Sequence, residues 1–397
     1  MSSGTADAAT GVGPAPTPER ALARLVEAVL SLGPLLGVLP PVTVPAGPRA
    51  QALGPLLETV TRRLGSPAVA VAAGPGRPDP FTQVVADRLD LAALPVTPDG
   101  RVEGADRLAD IVDDAEAADF GRFCARLDTK AGDGVPLRVY TAGRPGEGAV
   151  VLALAPGMPA RLAERWIREL ARTHYVVTWE SRGLFADPGE PAPADYGVTA
   201  QAGDLLAAMD RAGATRAHVV GLCGGAVPAV TAAALHPDRI TSLSLWHGDF
   251  DLGPDSPKTD HQRNLQALMA MACSDPGLAA TIHETLCRSL GDNVPADLAH
   301  LVLYPYATAE LFARYCALNS AVMGEDLRPR LAALDLPVLV VTSTDDHTAH
   351  PGGSAAVAAA LPGAVSVVRP HGDHISVFRG EPELFEAVAG FLAEHPL

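Results

Sequence analysis

The chain has 397 residues, a formal net charge of −16 at pH 7 and a hydrophobic content of 48%. The negative charge argues against nucleic acid and anionic membranes as partners, because both would be repelled. Its five cysteines are odd in number and form no CxxC pair, so neither a disulfide framework nor a zinc site is indicated. With no signal-like N-terminus and no apolar run of membrane-spanning length, we expect a soluble, cytoplasmic protein.

The first part of the chain predicts a tail followed by a helical extension. Residues 1–16 consist mainly of Ser, Gly, Ala, Pro and Thr, which bury too little surface to stay ordered. Residues 17–120 predict a helix-rich extension that begins with Thr17 as an N-cap before Pro18. Within it, the sequence predicts one strand at 68–72 and a Pro/Gly break at 40–48. No catalytic motif is visible in this extension.

Residues 121–397 alternate between strand-like and helix-like segments. Such alternation predicts a mostly parallel sheet with helices on both faces. Between about 249 and 334 the alternation gives way to helical stretches, which predicts a helical cap over the carboxyl ends of the strands. The predicted strands are 137–140, 149–154, 175–179, 217–221, 240–245, 338–342 and 365–368.

The segment from His218 to Ala226 carries the most specific motif. An apolar strand runs into Gly221-Leu222-Cys223-Gly224-Gly225 and then into a helix. A sharp strand-to-helix turn of this type, a nucleophile elbow, lifts one side chain above the edge of the sheet. Here that side chain is a thiol, which attacks acyl groups as the thiolate and forms a thioester. The sequence therefore predicts Cys223 as a nucleophile.

Two later loops supply candidates for the acid and the base. Asp346 follows the predicted strand 338–342, and His374 follows the next strand, so both side chains are expected at the same sheet edge as Cys223. Two fallback candidates stay open at this point. Asp249 can supply the acid from a neighbouring strand, and His371 can replace His374 as the base.

Nucleophile, acid and histidine in this chain order are typical of the α/β-hydrolase superfamily, which residues from about 120 to 397 resemble. The resemblance implies that His374 takes the Cys223 proton while Asp346 orients the imidazole. It also implies an oxyanion hole built from the backbone N–H groups of Gly224 and Met158. Members often carry His-Gly in the second loop, whereas this chain reads Ala155-Pro156-Gly157-Met158.

Within the superfamily, the chain most resembles the stand-alone aminoacyltransferases of nonribosomal peptide pathways, of the syringomycin and coronamic acid type. The similarity lies in the elbow, in the long N-terminal extension and in the run from Trp179 to Phe185. It implies transfer of an aminoacyl or acyl group between the phosphopantetheine thiols of donor and acceptor carrier proteins through Cys223. No cofactor of the enzyme's own is implied, because pantetheine arrives on the substrate.

Other functions stay open on the same residues. A thioester hydrolase or a polyhydroxyalkanoate-synthase-like enzyme would use the same Cys, His and Asp, and a catalytically silent binding protein of this fold is a further alternative. The two histidines of His347-Thr348-Ala349-His350 resemble a pair of metal ligands, but no third ligand follows at a suitable spacing, so we expect no metal. We expect a structural role for Glu180-Ser181-Arg182-Gly183. A helical stripe of arginines could receive an acidic carrier or simply be solvated: Arg161, Arg165, Arg168, Arg172.

Overall fold

The computed structural model describes residues 16–74, 78–146, 148–186, 190–288 and 294–396. The predicted disordered tail, residues 1–16, lies outside this range except for its last residue. Among the helices of the described residues, none combines the length and apolar character that a bilayer crossing requires.

The described part of the N-terminal extension is mostly α-helical and contains a small two-stranded parallel sheet. The predicted first helix is confirmed: it begins at Pro18, and the Thr17 side chain accepts a hydrogen bond from the Arg20 amide. The predicted break at 40–48 is confirmed, since α1 ends at Leu36 and α2 begins at Ala50. The strand inside this break was not predicted: Val42–Pro45 pairs in register with Val69–Ala72. The elements are α1 (Pro18–Leu36), β1 (Val42–Pro45), α2 (Ala50–Arg63), β2 (Val69–Ala72), α3 (Pro80–Leu89), α4 (Leu108–Ala118) and α5 (Phe120–Phe123).

The rest of the chain is built on an eight-stranded sheet in the order β10-β9-β8-β7-β5-β6-β4-β3. The strands from β10 to β6 run parallel, whereas β4 pairs antiparallel with both β6 and β3. The predictions missed β3, whose residues are mostly exposed at the sheet edge. The strands are β3 (Ala125–Lys130), β4 (Pro136–Ala142), β5 (Ala149–Ala153), β6 (Tyr175–Trp179), β7 (Ala217–Leu222), β8 (Ile240–Trp246), β9 (Val338–Ser343) and β10 (Val365–Arg369).

Helices cover both faces of this sheet because its central strands are apolar on both sides. In β5, Val150 and Leu152 belong to one core, while Val151 and Ala153 belong to the core on the opposite face. The helices that flank the sheet are α6 (Glu164–Leu170), α7 (Val198–Ala212), α8 (Ala226–Leu235), α13 (Arg328–Leu331), α14 (Pro351–Ala360), α15 (Ser376–Arg379) and α16 (Pro382–Glu394).

Among the described residues between β8 and β9, four helices precede α13, in the region where the sequence predicted a cap. Helix α11 packs against the N-terminal extension, since Ala299 and Leu303 lie in the same apolar cluster as α1 and α3. Helix α12 packs against α9 and against the turn after β7. These helices are α9 (Asp260–Ser274), α10 (Pro276–Cys287), α11 (Ala299–Val302) and α12 (Ala309–Gly324).

The loop after β6 is held by a buried ion pair. The Arg182 guanidinium, 2% exposed, donates to both carboxylate oxygens of Asp204 at 2.8 and 2.6 Å and to Asp133 Oδ2 at 2.7 Å. Burial raises the pKa of Asp204 to about 6, although Arg182 opposes the shift. The loop from Glu180 to Gly183 therefore has a structural role, since Arg182 ties it to α7 and to the turn between β3 and β4.

We predict that Arg182→Met lowers the free energy of unfolding by about 3–5 kcal/mol, because it leaves the buried Asp204 carboxylate without its partner. Urea unfolding followed by circular dichroism measures this change. The double variant Arg182→Met/Asp204→Leu, which removes both charges, should recover much of the loss. Equal stability of Arg182→Met and the wild type would contradict this account.

Candidate active site

Cys223 lies in a strained turn between β7 and α8. Its φ of +55° is in the left-handed region, which a non-glycine residue rarely adopts. Two glycines make the turn possible. A Cβ on Gly221 would lie 2.5 Å from Ala226 Cα, and one on Gly225 would lie 2.2 Å from the Ala153 carbonyl oxygen. The glycine pattern thus allows the start of α8 to approach the end of β5, and the thiol is left partly exposed.

The structure brings Cys223, His374 and Asp346 together in one hydrogen-bonded row. Cys223 Sγ lies 2.9 Å from His374 Nε2, and His374 Nδ1 lies 2.9 Å from Asp346 Oδ2. The other carboxylate oxygen of Asp346 accepts from the backbone amides of Thr348 and Ala349, both at 2.9 Å. This arrangement matches a nucleophile, a base and an orienting acid.

Charges in this row favour a protonated imidazole beside the thiol. Burial by itself lowers the pKa of His374, but Cys223 and Asp346 outweigh it and hold that pKa well above its usual range. Burial likewise raises the pKa of Asp346, yet hydrogen bonds from His247 and His374 bring it well below its usual range. Asp346 therefore stays ionised near neutral pH and can stabilise an imidazolium at His374.

His247, at the end of β8, was missed by the sequence analysis. Its ring is fully buried, and Nδ1 lies 2.8 Å from Asp346 Oδ2, the same oxygen that His374 contacts. Its Nε2 has no hydrogen-bond partner among the described residues. The backbone φ of His247 is +49°. The only signal in the sequence was the Trp246-His247-Gly248 ending of the strand, from which Asp249 was selected instead.

The two fallback candidates lie outside the row. Asp249 Oδ1 accepts a hydrogen bond from Gln262 Nε2 at 2.5 Å, which ties it to α9, and burial raises its pKa. The His371 side chain is 60% exposed and points toward Glu383, 3.6 Å away. Asp346 is preferred over Asp249 by geometry because β9 ends directly beside the loop of His374. The Ser343 hydroxyl donates to the Gly372 carbonyl and joins these two segments.

The two amides predicted to form the oxyanion hole differ in their surroundings. Gly224 N lies at the start of the turn that leads into α8, where an anion is favoured. The Met158 amide instead donates to the Ala155 carbonyl at 3.3 Å, within a turn, and the Gly157 amide donates to Ser181 Oγ at 2.9 Å. The Met158 amide, which was expected to be the second oxyanion donor, therefore already donates a hydrogen bond within the loop after β5.

Helix α12 of the cap covers the nucleophile and the loop after β5. A Cβ on Gly157 would lie 2.7 Å from the Tyr315 ring, and one on Gly224 would lie 3.4 Å from Val322. Both Tyr315 and Val322 belong to α12 and are buried. Helix α12 therefore packs directly against the turn that carries Cys223 and against the loop after β5.

One group of side chains in the described chain has the composition of a metal site. Ligand atoms of His247, Asp346 and His374 lie within 4.8 Å of one another. Asp346 Oδ2 accepts hydrogen bonds from both imidazoles, so hydrogen bonding alone accounts for the cluster. In the metal-like segment, His350 Nδ1 accepts from the Gly352 amide at 2.9 Å and caps α14.

The arginine stripe is largely neutralised. Arg161 pairs with Asp119 at 2.5 Å, Arg168 with Glu164 at 2.6 Å and Arg172 with Glu169 at 3.0 Å. Arg165, the remaining member, is exposed. Three of the four predicted docking charges therefore already have partners within the protein.

We predict that His247→Leu moves the alkaline limit of the pH profile for Cys223-dependent activity to higher pH. Without His247, Asp346 Oδ2 accepts a hydrogen bond from His374 alone, and this stronger interaction should raise the His374 pKa further. The pH dependence of kcat/KM measures this shift. His247→Asn is the matched control, since Asn tolerates a positive φ and keeps a donor. Identical profiles for wild type and both variants would assign His247 to packing only.

No family model matches the chain. Among curated proteins, it is 28% identical over 244 residues to RutD of Klebsiella pneumoniae strain 342, named as a carbamate hydrolase, with 60% of this chain and 89% of the relative covered. It is 26% identical over 247 residues to the protein of the same name from Caulobacter segnis, with 60% of this chain and 88% of that protein covered.

Solved structures show the same architecture. The enol-lactonase from Burkholderia xenovorans LB400 matches with a TM-score of 0.53 and 21% identity, covering 67% of this chain and 99% of the lactonase. The esterase RhEst1 from Rhodococcus sp. ECU1013 matches with a TM-score of 0.54 and 19% identity, covering 69% and 99%. Together with the mostly parallel sheet, the elbow and the strand order described above, these matches show that the chain has the α/β-hydrolase fold.

Proposed function

We propose that the protein is an enzyme that transfers acyl groups through a covalent thioester on Cys223. The observation that supports this most is the hydrogen-bonded row of Asp346, His374 and the partly exposed Cys223, with both connecting distances at 2.9 Å. A protein that only bound ligands would have no need of a strained thiol paired with an oriented base. We further propose that it acts in the reducing cytoplasm, where the thiol stays reduced.

The first half-reaction loads the enzyme. His374 Nε2 takes the proton from Cys223 Sγ, and the thiolate attacks the carbonyl carbon of the acyl donor. The carbonyl oxygen gains a negative charge, which the Gly224 amide is placed to stabilise. When the tetrahedral intermediate collapses, the bond to the leaving group breaks, and the leaving group takes the proton from His374.

The second half-reaction regenerates the thiol. An acceptor gives its proton to His374 and attacks the thioester carbonyl, and the carbon–sulfur bond to Cys223 breaks. The proton then returns from His374 to the Cys223 sulfur. The acceptor decides whether the enzyme is a hydrolase or a transferase, because the first half-reaction is the same for both.

Water is the acceptor in the first candidate function, a hydrolase that acts on thioesters or related acyl compounds. The similarity to RutD supports this candidate, as do the fold matches to an enol-lactonase and an esterase. A polyhydroxyalkanoate-synthase-like polymerase is a variant that passes the acyl group to a growing chain. None of these activities requires a cofactor, because the row of three side chains supplies both nucleophile and base.

A thiol is the acceptor in the second candidate, an aminoacyl or acyl transferase of nonribosomal peptide biosynthesis. The specific observation in its favour is that the nucleophile is a cysteine. Exchange between a Cys223 thioester and a pantetheine thiol is nearly balanced in energy, whereas release from a serine ester to a thiol runs uphill. The partners would be donor and acceptor carrier proteins that bring pantetheine with the substrate. The cap over Cys223 supports this candidate too, since it limits bulk water.

We predict that Cys223→Ala abolishes both the covalent acyl adduct and turnover. Intact-protein mass spectrometry with an acyl thioester donor measures the adduct, which hydroxylamine should remove. His374→Ala should slow turnover by about 10²–10⁴-fold near neutral pH, because the base is lost. Asp346→Asn should cost less than His374→Ala, and Asp249→Asn less still. Full turnover by Cys223→Ala would disprove the covalent mechanism.

The acceptor can be identified with one pre-loaded preparation. We predict that acyl-Cys223 enzyme, freed of excess donor, passes its acyl group to a carrier protein with a free pantetheine thiol faster than it releases free acid. The same carrier without pantetheine is the matched control and should receive nothing. If free acid forms at one rate with and without the thiol acceptor, the protein is a hydrolase and the transferase candidate falls.

A further inference from the structure

A cavity of about 390 Å³ lies where the N-terminal extension meets the rest of the protein. Its walls come from α1, α3 and α4 of the extension, from the segment that leads through α6, and from α11 and α15. This volume is within the range of about 300–1,000 Å³ typical of small-molecule sites. The cavity does not include Cys223, His374 or Asp346 in its lining.

One guanidinium in the cavity lining, that of Arg88, forms no close ion pair with the described residues, although Glu27 and Asp297 act on it at longer range. Five arginines and four carboxylates line it, and three arginines are paired: Arg161 with Asp119, Arg168 with Glu164, and Arg379 with Asp297. Arg165 and Glu27, on the rim, are exposed. Arg88 is half-buried, and within the described chain its guanidinium donates from Nε to Ser31 Oγ at 3.1 Å without an ion pair to any carboxylate.

A buried histidine lines the same cavity with no hydrogen-bond partner. His300 is 2% exposed, and neither Nδ1 nor Nε2 has a partner among the described residues. Burial, with Arg88 and Arg161 nearby, lowers the pKa of His300 to about 3, so the imidazole is neutral and carries one N–H donor. A buried donor without an acceptor is costly, and native proteins rarely keep one without a use.

The remaining walls of the cavity are apolar. They are formed by leucine, alanine and phenylalanine side chains from α1, α4, α11, α15 and the residues just before α6 and α11: Leu30, Ala115, Leu162, Leu298, Leu301 and Phe378. A free phosphate ion would leave these walls unfilled. A ligand with an apolar body would cover them while its head group meets the two donors.

We propose that this cavity binds an amphipathic organic anion. Its oxyanion head group, a carboxylate or a phosphate, accepts hydrogen bonds from the Arg88 guanidinium and the His300 N–H, and its apolar body packs on the leucines and Phe378. The net positive charge of the lining matches one negative charge on the ligand. This site is separate from the proposed acyl chemistry at Cys223, and the proposal does not depend on it.

The position of Phe378 connects this site to the proposed active site. Phe378 belongs to α15, which follows the His374 loop, and its ring centroid is 6.5 Å from that of His374. The Trp166 indole N–H donates to the Val377 carbonyl at 2.6 Å and holds α15 against α6. A ligand in the cavity therefore touches a segment that also supports His374.

Isothermal titration calorimetry on the full chain tests the proposal with octanoate, octyl phosphate and uncharged octanol. We expect one of the two anions to bind in a 1:1 ratio and octanol to bind about tenfold more weakly or not at all. Arg88→Gln and His300→Phe should each weaken the anion about tenfold. Arg172→Gln, an exposed arginine outside the cavity, is the matched control and should bind as the wild type does.

Cys223→Ala enzyme titrated in parallel should bind the anion with unchanged affinity, because the thiol is not part of this cavity. The preferred anion then identifies the head group as carboxylate or phosphate. Thermal unfolding of each variant establishes that it is folded. The proposal is overturned if neither anion binds, or if Arg88→Gln and Arg172→Gln bind it equally well.

Discussion

The closeness of α8 to the end of β5 is the constraint on which the proposed active site depends. The separation between the Gly225 backbone and the Ala153 carbonyl leaves no room for a Cβ. Because α8 starts so close to the sheet, Cys223 must turn through a positive φ, and its thiol stands above the sheet edge. Any larger residue at Gly225 would push the helix away and carry the sulfur away from His374. Backbone packing therefore determines the position of the nucleophile, independently of its hydrogen bond to His374.

Around this turn, Asp346 organises the remaining groups. Its Oδ1 accepts from the Thr348 and Ala349 amides, and its Oδ2 accepts from His247 and His374. Four donors on one buried carboxylate compensate for the cost of removing its charge from water. The His247 imidazole contacts the same Asp346 oxygen as His374, so the negative charge of Asp346 acts on both rings. Asp346 is therefore contacted from β8 as well as from the loop of His374.

The two additions to the sheet have separate roles in this arrangement. The cap packs Tyr315 and Val322 of α12 against the loop after β5 and the turn that carries Cys223. The extension packs its apolar cluster onto α11 of the cap and thereby encloses the cavity of Arg88 and His300. The N-terminal extension, which carries no catalytic motif, thus forms part of the proposed binding site, whose other walls come from the rest of the chain.

The sequence by itself determined the strand-to-helix turn at Cys223, the chain order of Cys223, Asp346 and His374, and the alternation that produces a parallel sheet. These features are local or periodic, so they can be read without knowing which segments meet. Only the tertiary structure placed Asp346, and not Asp249, in hydrogen-bond contact with His374, tied the Met158 amide into a turn and brought His247 to Asp346. It also revealed β1, a strand in a proline-rich segment that forms because β2 pairs with it. The physical reason is the same in each case: a hydrogen bond between residues about 100 positions apart, such as His247 and Asp346, leaves no pattern in either segment alone.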